Sequence, residues 1–513
     1  MQNGEKSAAL STAEKALPSS DRLLKGIQAT LQKIGKLVTD EQSLMELNMI
    51  DMTLSELARR NQLDFYIEYY EGLRKVLIEG IDLLGAKLAA GDAETMQRSL
   101  ASTLPPRLSL PTNYELANAA INEVMRHLAT LVKVVHEETP ATTAYLQRVA
   151  HKEGEFHEHR MKFAAGRKFN AADGVLHFTR ETLEQYLQQK FPERHGLKVT
   201  NFRQLVGGYQ KITVLFETED DSGEHQSLVL RSEKPDKFVS LHASDIRKEY
   251  EIVKFVFDAG VKVAEPLWLE SDKTKLGERF FVSTKVPGEN LGNAVVANKE
   301  VTDEIARSFI EAIARVHMLP RSAEMRQLSV GEWLDLPTAQ DVAREAVLLW
   351  RNQPWMKSGN PSAVLDRVTT WLIDNVPTDD YQACLIHMDY GLHNVLVHDS
   401  KVSAILDWES ARIGDPAEDI SWFIQFSGGK VDYKKALDWY EEFTGNRISE
   451  YRLRYHDVWS SLKVLMSCIS AESMYETTDE ASIIWLIMPL SFAIHATSIA
   501  EERIRIAESV KGR

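Results

Sequence analysis

The spacing of apolar residues changes twice along this chain, and those changes limit the fold more than any single motif does. From Asp21 to Val135 apolar residues recur every three or four positions, the period of one helix face. Leu24, Ile27, Leu31, Ile34 and Val38 make one such face, and Leu44–Arg60 and Phe65–Leu88 continue it. After Pro105, Pro106 and Pro111, Tyr114–Val135 repeats the pattern. From Val199 the period drops to two. Val199–Leu205, Ile212–Glu217 and Ser227–Arg231 read as strands, separated by Gly207-Gly208 and by Asp220-Asp221-Ser222-Gly223, both of which are hairpin signals. A helix at Ser244–Ala259 and strands at Glu265–Glu270 and Arg279–Val286 complete a β-β-β-α-β-β order. Beyond Thr302 the helical period returns, interrupted once at residues 384–407. The expected class is therefore α+β: an all-α helical bundle, a small antiparallel β region, then a mainly helical region.

Composition narrows the partners. The 513 residues carry a net charge of −15, which argues against nucleic acid, because neutralising phosphates needs clustered Lys and Arg. A local basic pocket for a small anion remains compatible with that balance. Cys384 and Cys468 are far apart in apolar surroundings and read as reduced core residues, not as a zinc or disulfide framework. The first twenty residues lack the apolar stretch of a secretory signal. No run reaches the roughly 18 apolar residues of a membrane span, and Ile483–Ile494 is too short. The expected location is cytoplasmic, with no membrane partner. Residues 136–170 contain His136, His151, His157 and His159. His157 and His159 could ligate a metal, but without a third spaced ligand the pattern reads as a charged connecting helix.

The interruption at 384–407 carries the chemistry. In the stretch HMDYGLHN, residues 387–394, a short strand (Leu385-Ile386) runs into a loop holding His387, Asp389 and Asn394. Val395–Val397 and Ser403–Leu406 then form a hairpin about Asp399-Ser400, with Asp407 at its end. This order can bring Asp389, Asn394 and Asp407 to one mouth. Phosphoryl transfer needs a carboxylate to orient or deprotonate the attacking hydroxyl. It also needs hard oxygen ligands for Mg²⁺, which keeps several waters and the nucleotide phosphates in its shell. Asp389 suits the first task, with His387 beside it holding the loop through the backbone. Asn394 and Asp407 suit the second.

HMDYGLHNVL followed by ILDWESARIGDPAEDISWF resembles the signature of the aminoglycoside phosphotransferase-like small-molecule kinases. It is closest in style to the branch linked to acyl-CoA dehydrogenases. The resemblance covers about residues 175–500. It implies a protein-kinase-like two-lobed domain, preceded by the helical bundle. The implied boundaries are a bundle over 1–140, a helical linker over 141–175, a nucleotide-binding lobe over 176–288 and a catalytic helical lobe over 289–513. It implies ATP and Mg²⁺, Asp389 as catalytic base, Asn394 and Asp407 as metal ligands, and Asp415 and Asp419 as braces. Gly207 and Gly208 take the place of a phosphate loop, although Tyr209-Gln210-Lys211 stands where the family commonly has a hydroxyl residue. Arg231 stands where kinases place a lysine, with Lys234 as the substitute. Its helix partner would be Glu249, with Glu251 as the other candidate. The linker Thr284–Gly288, with Thr284 and Val286, would hold adenine.

The resemblance implies a small-molecule hydroxyl as acceptor: a hydroxyacyl-CoA, an aryl or other alcohol, less readily an aminoglycoside. A peptide acceptor fits poorly, since Ser410–Ile413 alone separate the DWE and GDP segments. The altered glycine loop and Arg231 leave a second reading open, a nucleotide-binding pseudokinase or scaffold acting through its bundle. The bundle could cap the site, form a homodimer or bind a protein partner.

Overall fold

The computed structural model of the protein describes residues 50, 63–84, 88, 92, 95–96, 112–135, 139–164, 178–205, 211–233, 245–292, 299–353, 362–477 and 487–511. The helix expected over Leu24–Val38, and Gly207, Gly208, Lys234 and His136, lie outside these residues. The chain divides into two compact units. One comprises Met1–Gly174, Asn360–Asp366 and Glu480–Ser498, the other Val175–Gly359, Arg367–Asp479 and Ile499–Arg513.

The first unit contains α1 (Leu63–Leu84), α2 (Thr112–Lys133) and α3 (Pro140–Ala164). Its core takes Tyr66, Tyr69, Leu73 and Leu77 from α1, Val124, Leu128 and Leu131 from α2, and Tyr145, Leu146 and Val149 from α3. These positions recur at three- and four-residue spacing, so each helix buries one apolar stripe. The segment read as a charged connecting helix is a long helix as expected, but it also has an apolar face that joins the core. Its His151 is exposed and 3.2 Å from Glu155. Glu153 on the same helix is buried, and its carboxylate accepts hydrogen bonds from the Ser362 hydroxyl and, at 3.1 Å, the Val364 N–H.

The second unit opens with α4 (Arg180–Lys190), started by a Thr179–Thr182 capping box, which satisfies otherwise orphaned N-terminal groups. Strands β1 (Lys198–Leu205), β2 (Lys211–Glu219), β3 (His225–Glu233), β4 (Pro266–Glu270) and β5 (Phe280–Thr284) form an antiparallel sheet in the order β1-β2-β3-β5-β4. Helix α5 (Ile246–Asp258) lies between β3 and β4 in the chain and is capped by Asp245. Alternation along β3 fixes two faces. Leu228 and Leu230 join Val214, Phe216, Phe280 and Val282 in the core against Leu183 and Leu187 of α4. Arg231 therefore points the other way. Its cross-strand neighbour Phe281 meets Tyr250 of α5, with ring centroids 5.8 Å apart.

The rest of this unit is mainly helical: α6 (Asp303–His317), α7 (Ala323–Gln327), α8 (Ala339–Arg351), α9 (Ala363–Asp374, from Arg367 on), α10 (Pro416–Phe426), α11 (Tyr433–Thr444), α12 (Glu450–Thr477) and the last turns of α13 (Ile487–Val510). Two small ribbons interrupt it. Strand β6 (Cys384–Ile386) pairs with β9 (Arg412–Gly414), and β7 (Val395–His398) pairs with β8 (Lys401–Ile405). The β7–β8 turn falls at Asp399-Ser400, both with positive φ. Strand β9 escapes sequence reading because three residues, one of them Arg412, carry no period. Among the described residues no helix is long and apolar enough to cross a membrane. The small antiparallel lobe followed by a helical lobe is the two-lobed, protein-kinase-like arrangement.

Candidate active site

The loop between β6 and β7 is pinned from below by one carboxylate. Asp419, fully buried near the start of α10, accepts the N–H groups of His387 and Met388, each at 2.7 Å. His317 adds a contact at 3.1 Å. Burial opposes the charge on Asp419, but His317 and His387 together more than offset this and hold its pKa below the ordinary carboxylate value. That anchoring supports the left-handed backbone of Met388, with φ 67, a conformation that costs a non-glycine residue of order 1 kcal/mol. Asp415 does a related job as the N-cap of α10, while its carboxylate meets Arg452 at 2.5 Å.

Both ring nitrogens of His387 are used by the main chain. Nε2 lies 2.8 Å from the Leu406 carbonyl, and Nδ1 accepts the Asp389 N–H at 3.3 Å. Those partners select the Nε2–H tautomer, and burial lowers its pKa. The ring therefore joins the loop to the residue preceding Asp407.

Asp389 lies at the open side, its side chain 32% exposed. The Asn394 amide nitrogen donates to its Oδ2 at 2.9 Å and to its carbonyl at 3.0 Å. His393 Nε2 stands 3.4 Å from Oδ2 and Lys463 Nζ 3.8 Å from Oδ1. Partial burial would raise the Asp389 pKa, but Lys463 and then His393 hold it well below the usual carboxylate range. Asp389 is thus ionised and weakly basic, suited to orienting a hydroxyl.

Asp407 also adopts a left-handed backbone, with φ 63, between β8 and the single turn Trp408–Ser410. The Leu406 N–H donates to the Asn394 carbonyl at 2.8 Å, which keeps Asn394 and Asp407 together. The Asp407 carboxylate bonds to Arg231 from the sheet. Arg231 Nε is also 2.7 Å from Glu249, and its NH2 is 3.8 Å from Glu409. Lys211 stands 3.4 Å from Glu409. Three carboxyl groups thus face two cations, and burial, with Asp407 beside it, pushes the Glu409 pKa well above its ordinary value. Burial raises the Glu249 pKa against the pull of Arg231.

These contacts fit a hard cation. The Asn394 amide nitrogen faces Asp389, so its oxygen turns to the other side, and Asp407 meets Arg231 through Oδ1. Among the described residues no three His, Cys, Asp or Glu side chains converge as a metal cage. Two oxygen donors suffice for a Mg²⁺ that arrives with phosphates and water.

The structure thus brings together Asp389, His387, Asn394, Asp407, Arg231 and Glu249. Thr284 ends β5 and spends its N–H on the Glu265 carbonyl at 3.0 Å, so that group cannot serve adenine. Val286 follows beyond the strand end. Sequence reasoning passed over Lys463, Lys211, His393 and Glu409. Glu409 was within reach, two residues after Asp407. Lys463 follows Asp389 by more than seventy positions with no local pattern.

Fold and site together define a kinase-like phosphotransferase. The chain belongs to the phosphotransferase enzyme family, whose model matches residues 201–465. Among curated proteins it is similar to mouse acyl-CoA dehydrogenase family member 11, 28% identical over 253 residues. That match spans 48% of this chain and 30% of the relative, so the chain covers less than a third of that protein's length. It is also 24% identical over 206 residues to viomycin phosphotransferase of Streptomyces vinaceus, across 38% of this chain and 67% of that one. Among solved structures, a Ralstonia eutropha protein assigned as an aminoglycoside phosphotransferase aligns with 65% of this chain and 99% of its own, at 21% identity and a TM-score of 0.49.

Proposed function

We propose that the protein transfers the γ-phosphate of ATP to a hydroxyl of a small molecule. The observation that carries this reading is the convergence of Asp389, Asn394 and Asp407 on one mouth, with Arg231 reaching Asp407 from the sheet. Asp389 accepts a hydrogen bond from the acceptor hydroxyl and aims its oxygen at the γ-phosphorus. The new P–O bond forms as the bond to the β-phosphate oxygen breaks. ADP leaves with that electron pair, and the hydroxyl proton passes to Asp389 and then to water. Because such transition states are loose, positioning supplies more than basicity does, which suits a carboxylate held below its usual pKa.

Asn394 Oδ1 and the Asp407 carboxylate would hold Mg²⁺, which would supply positive charge against the nucleotide phosphates. Arg231 turns from Asp407 to those phosphates, and Glu249 keeps its guanidinium oriented. We assign the phosphate-loop role to Gly207 and Gly208 from their position in the sequence alone, and the linker at Val286 takes the adenine. His387 and Asp419 position the loop. In this reading residues 176–288 bind nucleotide and 289–513 carry the loop and acceptor pocket, while residues 1–140 and 141–175 stand outside the catalytic domain.

For the acceptor we favour a hydroxyacyl thioester or related alcohol. The support is the similarity to acyl-CoA dehydrogenase family members and the cation, Lys463, beside Asp389. The test is transfer of γ-labelled phosphate from Mg·ATP into hydroxyacyl-CoAs, aryl alcohols, sugars and aminoglycosides, with Asp389→Asn as control. Label in one class with wild type alone supports the reading and names the acceptor. Nucleotide binding with no transfer to any class would favour the scaffold reading instead.

A further inference from the structure

Lys463 is a cation without a full set of partners, placed where negative charge would arrive. It projects from α12 with its side chain 11% exposed, and its ammonium donates to the Met388 carbonyl, immediately before Asp389. Beneath it lies the Trp422 ring, whose centroid is 3.6 Å away. Its nearest carboxylate oxygen, Asp389 Oδ1, is 3.8 Å away, beyond the 2.7–2.9 Å or so of a charge-assisted hydrogen bond. A structural ion pair buried this deeply would recover its desolvation cost through direct bonds. This one does not, and burial accordingly lowers the Lys463 pKa against the opposing pull of Asp389.

The surrounding charges give the placement meaning. From Asp389 to Asn394 the loop contains no Lys or Arg, so it cannot itself neutralise the oxygens of a phosphoryl group in flight. Arg231 and Lys211 lie on the other side, with Asp407 and Glu409. At the Asp389 end, the described cationic groups are Lys463 and His393. His393 is directed at the carboxylate's other oxygen, Oδ2. Trp422 gives the ammonium an apolar floor that excludes water and strengthens its field.

We infer that Lys463 is a catalytic residue, whose ammonium contacts the phosphoryl group as it passes from the nucleotide to the acceptor oxygen beside Asp389. The inference rests on the phosphotransferase reading above and names the group that stabilises the charge of the reaction.

The test needs no acceptor. Mg·ADP with aluminium fluoride mimics the planar phosphoryl group, with water as its axial ligand. Calorimetric titration of the full chain compares Mg·ADP alone with Mg·ADP plus aluminium fluoride. Wild type should bind the second at least about tenfold more tightly, a modest share of what one such donor contributes to a transition state. Lys463→Met should lose that gain while binding Mg·ADP as wild type does, and Lys463→Arg, which keeps the charge, should recover part of it. If the Met variant does not fold, Lys463→Gln, which retains a donor for Met388, takes its place. A wild-type gain that survives in Lys463→Met overturns the inference and leaves Lys463 a counterion. A wild type that binds Mg·ADP without any gain overturns it while nucleotide binding stands. A wild type that binds no Mg·ADP overturns the phosphotransferase reading as well.

Discussion

Arg231→Met should destabilise the protein far more than Glu249→Gln, although the two side chains are partners. Arg231 Nε lies 2.7 Å from Glu249, and the same guanidinium also meets Asp407 and, at 3.8 Å, Glu409. Lys211 is the second cation of the cluster, 3.4 Å from Glu409. With Arg231 gone, one cation faces three carboxylates, and Glu249, its side chain 2% exposed, is left without its counterion. Stranding one member of a buried pair costs about 3–5 kcal/mol. With Glu249 neutralised, two cations face two carboxylates, and the glutamine oxygen still accepts from the guanidinium, so the expected cost is about 1 kcal/mol or less. The Arg231→Met penalty should also shrink on acidification. Burial raises the Glu249 pKa, so the folded variant takes up a proton before the unfolded chain does. Its stability is therefore fullest at low pH and is lost as pH rises. The assay is urea unfolding followed by circular dichroism without nucleotide, at pH 7.5 and 5.5. Equal losses in the two variants would refute the reasoning, because they would show a closed one-to-one pair and not a cluster short of positive charge.

Three further outcomes are expected. Asp389→Asn should abolish phosphate release from Mg·ATP while leaving calorimetric nucleotide binding intact, whereas Asp407→Ala should weaken that binding tenfold or more, as loss of a charged metal ligand does, by roughly 1.4 kcal/mol at least. Asp419→Ala removes the acceptor of the His387 and Met388 N–H groups, so at about 1–3 kcal/mol per buried orphan thermal unfolding should show a loss of several kcal/mol. Glu153, its pKa raised by burial to about 7 from 4.5, should contribute stability below about pH 4.5 that is lost by about pH 7, on the order of 3 kcal/mol at most. Glu153→Gln should flatten that dependence in unfolding curves taken between those limits, and a parallel wild-type curve would contradict the assignment.

What the sequence disclosed depended on how local the controlling physics was. The five strands of the sheet were legible because alternation is a two-residue signal, and their observed ends differ from expectation by at most two residues. The loop was legible because His387, Asp389 and Asn394 lie within eight residues. β9 was not, because its pairing with β6 is decided by a partner nearly thirty residues upstream. Thr284 was placed at the linker by position alone, and the strand pairing that consumes its N–H leaves no trace in a single sequence. The cations show the limit most clearly. Arg231 was found because the family resemblance places a cation at that position of the third strand. Lys463 lies on a helix where lysine is ordinary, and its meaning comes entirely from Met388, Asp389 and Trp422. A site that balances charge across two lobes writes its acids in one motif and distributes its bases over the fold. Motif reading therefore recovers Asp389, Asn394 and Asp407, and family position adds Arg231, while Lys463 and Lys211 emerge only from the fold.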